Sequence, residues 1–324
     1  MCPAQNNDWQ PSATLATLQR RAQLLTDIRA FFTSRQVMEV ETPLLCQHTV
    51  TDRYIDSFAV PTAERERYLQ TSPEYAMKRL RAAGSGPIYQ ICKSFRNEEA
   101  SVHHNPEFTM LEWYHPQWSD AQLREEIDAL MQHTINAPAV ITKSYQHVFL
   151  ETLHIDPLSC SEQELQQVIN KHAPNEVSTE WLNSGKDALL NFCFNRFIES
   201  EFDHNQPIFI IDFPVSQAAL AEINADDPRT AKRFELYYKG LELANGFQEL
   251  TDAKEQQARF EKDQQARRDM GKSIPAIDTH LIDALAAGFP RCAGVALGVD
   301  RLLMCLDEMP NTIAESISFA THHA

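Results

Sequence analysis

Arg96, Asn97, Glu98, Glu99, His103, His104, Asn105 and Glu107 crowd into one short connection. Before it, Ile88, Gln90, Cys92 and Ser94 alternate with Tyr89, Ile91, Lys93 and Phe95, a run rich in β-formers that reads as a strand. After it, Phe108 to Tyr114 reads as a second strand. The connection is too polar for a plain hairpin turn. Arginine offers a planar, permanently charged fork for a phosphoryl oxygen. Glu98 or Asn105 could read an adenine edge and Phe108 could stack on its face. The chemistry implied is that of a nucleotide with a reacting phosphate. Standing alone, the loop would be explained equally well as a charged surface hairpin.

A second concentration lies in Arg233 to Asp252, where Glu235, Glu242 and Glu249 recur every seven residues. A helical stripe would give that spacing, but Gly240 and Asn245-Gly246 argue against a helix. A hairpin turning at Lys239-Gly240 fits better, with cross-strand pairs Tyr238/Leu241, Tyr237/Glu242 and Glu235/Ala244. Glu235 and Glu242 then become diagonal neighbours on one face. Two carboxylates there call for a cation, and Mg²⁺ held by carboxylates plus substrate phosphates is the expected arrangement. A third stretch, Gly294 to Arg301 (GVALGVDR), reads as a small-residue strand entering a helix near Asp300. Such a strand admits close approach of a ligand, and Arg301 adds a fixed positive charge for phosphate. Gly271-Lys272-Ser273 is not a P-loop, because the glycine required at 266 is Ala266.

These stretches must be positioned by the rest of the chain. Residues 1–13 read as a poorly ordered lead-in and 14–324 as one catalytic domain. Thr14 to Ser34 reads as a helix through Leu15, Leu18, Leu25, Ile28 and Phe32, and Gln36 to Thr42 as a strand stopped by Pro43. Ser72-Pro73-Glu74 suits the start of a helix over Tyr75 to Ala83, with Ser72 as cap and Pro73 at its first position. Glu74 then either complements the helix end or pairs with a substrate amino group. Asp120 to Ile135 is amphipathic, Ser161 to Glu164 forms a capping box, and Asp187 to Phe202 is a further helix. About 115–205 reads as a helical insertion or flank. Pro207 to Phe213 is a buried strand.

The chain has 324 residues, enough to bury a substantial core, and a net charge of −16. That charge disfavours non-specific nucleic-acid binding; the Lys78-Arg79-x-Arg81 cluster is either a local basic patch or a solvated helix face. Seven cysteines without a C-x-x-C pair read as reduced thiols of a cytoplasmic protein. No signal peptide and no membrane span are expected.

The run FRNEE-x-x-x-x-HNPEF-x-x-x-E-x-Y resembles motif 2 of class II aminoacyl-tRNA synthetases in the lysyl form. The helix, strand and Pro43 resemble motif 1, which builds the dimer interface in that family, and GVALGVDR resembles motif 3. The resemblance implies an α+β fold, an antiparallel sheet flanked by helices, in a homodimer. It implies ATP at Arg96, Asn97, Glu98, His104, Asn105, Phe108, Glu242, Leu243, Gly298 and Arg301, with Arg96 and Arg301 catalytic. Mg²⁺ would sit at Glu235 and Glu242. The amino acid would be held by Ser72, Pro73, Glu74, Glu112, Tyr114, Asn245, Phe247, Glu249 and Ala296.

Two departures narrow the resemblance. An anticodon-reading OB-fold, five strands of ~5–6 residues plus turns, does not fit before the helix near Thr14. Ala296 stands where lysyl-tRNA synthetases usually have glycine, and one methyl in a pocket is worth ~1–3 kcal/mol of discrimination. His103 also replaces a usual arginine, which puts one loop contact to the terminal phosphates in doubt. With these features the chain is similar to the ligases that join (R)-β-lysine to a lysine side chain of elongation factor P. The expected activity is therefore ATP-dependent activation of (R)-β-lysine or lysine and transfer to elongation factor P. The alternatives are charging of tRNA or another acceptor, and a non-catalytic paralogue. The second is disfavoured by the presence of Arg96, Glu235, Glu242 and Arg301 together.

Overall fold

The computed structural model describes residues 9–174, 176–178 and 180–324. The first eight residues of the expected lead-in lie outside this range. Farther along it, Ser12 N–H donates to the Ser318 carbonyl (2.8 Å) and Ser12 Oγ accepts from Ala320 N–H (3.0 Å). In chain order the strands are β1 (Met38–Glu39), β2 (Leu45–Cys46), β3 (Ala59–Pro61), β4 (Glu66–Leu69), β5 (Ile88–Phe95), β6 (Glu107–Pro116), β7 (Ile141–Ser144), β8 (Ile208–Pro214), β9 (Thr230–Tyr238), β10 (Leu241–Gln248) and β11 (Cys292–Gly298). The helices are α1 (Leu15–Ser34), α2 (Glu74–Ala82), α3 (Asp120–Ile135), α4 (Tyr145–Leu153), α5 (Glu162–His172), α6 (Lys186–Cys193), α7 (Ala253–Asp269), α8 (Thr279–Ala286), α9 (Val299–Met304) and α10 (Ile313–Ser316). The chain forms two compact units, Met1–Asn136 with Thr251–Ala324, and Ala137–Leu250.

In the first unit the strand order is β1-β5-β6-β11, with β1 parallel to β5 and the other pairs antiparallel. One face of β5 and β6 receives α1, whose Phe32 stacks on Tyr89 (centroids 4.5 Å apart) and meets Trp113 edge-on (5.3 Å). Leu24, Ile28, Phe31 and Phe32 of α1 and Leu123, Ile127, Leu130 and Met131 of α3 are buried. Burying each large apolar side chain stabilises the unit by ~1.5–3 kcal/mol. Glu126 is buried too, and it accepts from Trp113 Nε1 (3.0 Å) and lies 2.7 Å from His115 Nε2. A small sheet of order β2-β4-β3 lies in the same unit.

In the second unit the order is β10-β9-β8-β7, with β7 parallel to β8. Within each unit the inner strand pairs are thus antiparallel as expected, while β1 in the first unit and β7 in the second add a parallel pair. Helices α4, α5 and α6 pack Val148, Phe149, Leu165, Ile169, Leu189 and Leu190 into one core with Ile208, Ile210 and Phe213 of β8. Lys239 and Gly240 turn β9 into β10 with φ of +52° and +74°, the double positive φ of a tight two-residue hairpin.

Several boundaries differ from expectation. The strand expected over Gln36 to Thr42 shrinks to Met38–Glu39, because Gln36 closes the helix end at φ +57° and Pro43 cannot extend a ladder. Helix α2 spans Glu74–Ala82, one residue ahead of the expected Tyr75 to Ala83, and Pro73 takes the cap position expected for Ser72, whose Oγ accepts from Glu74 N–H at 3.2 Å. The helix expected over Asp187 to Phe202 is regular only through Cys193, then passes through a wide turn (Phe194–Ile198) and a tight one (Glu199–Glu201). The described cysteines, Cys46, Cys92, Cys160, Cys193, Cys292 and Cys305, are free thiols. Among the described residues no helix is long and apolar enough to cross a membrane.

Gly246 lies directly opposite Phe234, and a Cβ on it would run into that ring. Phe234 is buried and held edge-on by Phe209 (5.7 Å), so it has no room to yield. Gly246→Ala is expected to destabilise the second unit by ~1–3 kcal/mol, read as a lower urea midpoint.

Candidate active site

The connection between β5 and β6 is shaped by its own backbone. Arg96 N–H donates to the Pro106 carbonyl (2.9 Å), Ser101 N–H to that of His104 (2.9 Å), and Asn97 N–H to that of Asp56 (2.8 Å). Arg96 is half-buried, its guanidinium carbon lies 5.3 Å from the centre of the Phe108 ring, and its Nε is buried without a hydrogen-bond partner among the described residues. Asn97 and Glu98 are exposed.

Arg301, on the first turn of α9, reaches this loop. Its Nη2 is 2.9 Å from His104 Nε2 and its Nε donates to the His103 carbonyl (3.4 Å). A guanidinium has no acceptor, so His104 Nε2 must accept, and the ring proton is on Nδ1, facing Ser101 Oγ at 2.9 Å. Burial, then the nearby Arg301 charge, holds both imidazoles below the usual histidine range, which favours this neutral form. The stretches resembling motifs 2 and 3 therefore meet. Asn105 has a tighter duty than expected of a ligand residue: its Oδ1 accepts from Thr321 N–H (3.2 Å) and Oγ1 (3.0 Å), and its Nδ2 donates to the Glu107 carbonyl (2.5 Å).

Behind Arg301, Asp300 is buried. It accepts from Thr109 N–H (2.7 Å) and pairs with Arg21 of α1 (2.6 Å), so one carboxylate joins α1, β6 and α9. Arg21 also donates to Thr109 Oγ1 (2.7 Å).

The face of β5, β6 and β11 turned away from Phe32 carries the expected amino-acid residues. Glu112 is opposite Gln90 on β5 and Ala296 on β11; Tyr114 is opposite Ile88 and Gly294. Directly opposed residues share a face. Glu112 is 2% exposed and accepts from the Tyr114 hydroxyl (2.7 Å). Phe108 and Gly298 fall on the same face by the two-residue period, opposite Ser94 and Met110. In α2, Glu74 accepts from the buried Lys78 ammonium (2.7 Å), one turn on. Ser72 and Pro73 line a cavity of about 260 Å³ together with Arg67, Arg79, His48 and Asp278.

In the second unit, Glu242 lies opposite Tyr237, two residues from Glu235 on the same face, as expected. The expected Glu235/Ala244 pair is not formed. A bulge at Leu243 shifts the register, so Asn245 faces Glu235 and Ala244 faces Leu236. Asn245 Oδ1 is buried without a hydrogen-bond partner among the described residues, Phe247 faces Arg233, and Glu249, just past β10, is 1% exposed.

The sequence reading gave Arg233 no role and Tyr237 only a place in the hairpin register. Arg233 pairs with Glu235 and donates to the Gln217 carbonyl (2.7 Å), and its guanidinium carbon lies 4.6 Å from the centre of the Phe213 ring. Burial works against its charge, but Glu235 and Glu242 more than offset this and raise its pKa. The Tyr237 hydroxyl donates to Glu235 Oε2 (2.5 Å), and burial and the two glutamates push its pKa well up. The signal was the spacing: 233, 235 and 237 share one strand face. Among the described residues no group of three or more His, Cys, Asp or Glu is placed to hold a metal. The carboxylate oxygens suit a hard cation, which would need further oxygens from a nucleotide.

A family model described as tRNA synthetases class II (D, K and N) matches residues 7–323. The chain belongs to that family. Among its relatives, the elongation factor P–(R)-β-lysine ligase of Erwinia tasmaniensis is 50% identical over 302 residues, 91% of this chain and 92% of the relative. Proteins of the same name from Salmonella paratyphi A and Salmonella typhi are 48% identical over 323 residues, 98% of each chain.

Proposed function

We propose that this chain activates (R)-β-lysine with ATP and joins it to a lysine side chain of elongation factor P. The observation that carries this reading is a match running along 98% of both this chain and relatives of that name. In the first step the amino-acid carboxylate attacks the α-phosphorus of ATP, and the bond to pyrophosphate breaks. Arg96 holds the α-phosphate oxygen on which charge builds, and Arg301 steadies the nucleotide. Asn97, Glu98, His104, Asn105, Phe108, Leu243 and Gly298 complete the nucleotide site. In the second step a neutral lysine amine of elongation factor P attacks the adenylate carbonyl. The amide forms, AMP leaves and the nitrogen gives up a proton.

Glu112, Tyr114 and Glu249 hold the side-chain ammonium, which has three donors and no acceptor. Ser72, Pro73, Glu74, Asn245 and Phe247 hold the rest of the amino acid. The Ala296 methyl, on the same face as Glu112, sets which isomer fits. Glu235 and Glu242 would hold Mg²⁺, which when bound neutralises phosphate charge. A cytoplasmic homodimer joined through α1 and β1 accords with the exposure of Leu15 (73%) and Met38 (49%).

The test is intact-mass spectrometry of elongation factor P after incubation with the chain, ATP and Mg²⁺, with (R)-β-lysine, L-α-lysine or neither. The expected result is a gain of one lysyl unit, strongest with the β isomer. No gain in any arm overturns the reading. Continued ATP–pyrophosphate exchange in that case would assign a different acceptor, and radiolabelled tRNA captured on a filter would identify it as tRNA.

A further inference from the structure

Gln90 sits in the middle of β5 at 2% exposure, directly opposite Glu112, which is in turn opposite Ala296. The three side chains therefore cross one face of the sheet in a row, on the side away from Phe32. The opposite face is filled by aromatic packing. The Gln90 row has small residues at its β11 end, Gly294, Ala296 and Gly298.

The carboxamide has two chemically distinct ends. Its nitrogen is engaged by the Cys92 thiol two residues along the same face, which also accepts from Gln70 Nε2 at 3.3 Å. Its Oε1 is buried and has no hydrogen-bond partner among the described residues. A buried carbonyl oxygen without a donor is costly, and nearly all such atoms in folded proteins are satisfied. The missing partner must be a donor that reaches the Glu112 row. It must also tolerate a neighbouring carboxylate, which a cation does best.

We propose that Gln90 Oε1 accepts one N–H of the substrate's side-chain ammonium, making Gln90 a specificity-determining residue alongside Glu112. This deepens the functional reading above and rests on it. An ammonium can divide its donors between the carboxylate and the amide oxygen. A methyl or hydroxyl end group leaves at least one of these acceptors without a charged donor. Gln90 thereby contributes to rejecting apolar amino acids of the same length.

The experiment is amino-acid-dependent ATP–pyrophosphate exchange with wild type, Gln90→Met and Gln90→Glu. The substrates are (R)-β-lysine and 3-aminoheptanoic acid, in which a methyl replaces the side-chain ammonium. Methionine keeps the volume and removes the acceptor, and its KM for β-lysine is expected to rise about 10- to 100-fold with the KM for ATP unchanged. Its selectivity for β-lysine over the methyl analogue should fall by the same factor. Glutamate keeps an acceptor but loses the donor to Cys92, so it should hold β-lysine within a few-fold of wild type. A merely structural role through Cys92 would instead impair both variants. A Gln90→Met KM within twofold of wild type, or equal losses in both variants, overturns the proposal. No exchange by wild type with any lysine isomer refutes the underlying reading instead, and the assignment of Gln90 falls with it.

Discussion

Replacing Arg96 with alanine is expected to lower the rate of ATP–pyrophosphate exchange by about 10²–10³-fold while leaving the thermal transition near that of wild type. The side chain is half-buried beside Phe108, and its Nε is buried without a hydrogen-bond partner among the described residues. The loop's shape does not depend on that side chain, because Arg96 is fixed through its main-chain bond to Pro106. Deleting a donor aimed at developing charge typically costs ~2.7–4 kcal/mol of transition-state stabilisation. Arg96→Lys should recover only part of the rate, since an ammonium keeps the charge but not the planar fork. Single-turnover adenylate formation separates this effect from acceptor transfer. An Arg96→Ala protein that exchanges pyrophosphate at the wild-type rate would remove Arg96 from the chemistry.

Arg21→Met should have the largest effect on stability, about 3–5 kcal/mol. Asp300 is 1% exposed, and Arg21 is the cation 2.6 Å from it. Removing the guanidinium leaves a buried carboxylate with the Thr109 N–H and also removes a donor from Thr109 Oγ1. For a chain of this size the melting temperature should drop by on the order of 10 °C. Arg21→Met combined with Asp300→Asn should recover roughly half, because the double variant no longer buries an orphaned charge. Equal losses in the single and double variants would mean that Arg21 acts through packing of its stem. Because α9 carries Arg301, exchange activity should decline together with stability in the single variant.

Those two residues illustrate different depths of legibility. Arg96 was readable because a charged loop between two alternating strands has a local signature, and β5 and β6 appear where the alternation put them. The hairpin at Lys239-Gly240 was readable for the same reason, since Gly240 can adopt positive φ at little cost. The bulge at Leu243 was not, because alternation of apolar residues does not show which one is extra. Arg233 was passed over because an arginine in a strand normally faces water; its burial depends on Phe213 and the Gln217 carbonyl, which local pattern does not bring near. The bond between Asn105 and Thr321 was not legible either, because the two lie 216 residues apart.

Residue order by itself determined the type of most long elements, the tight turn and the chemical character of the charged loops, because period, turn chemistry and charge are local properties; the family came from the resemblance of whole motifs, and the short strands β2, β3 and β7 were not read. Only the tertiary structure decided that Asp300 ties Thr109 to α1, that Arg301 clamps His104, and that Gln90, Glu112 and Ala296 share one row. Those pairings join residues far apart along the chain, Thr109 and Asp300 by 191 positions and His104 and Arg301 by 197. The Asp300 pairing forms because a buried charge must find partners in the folded chain, a constraint that acts through space and not along the sequence.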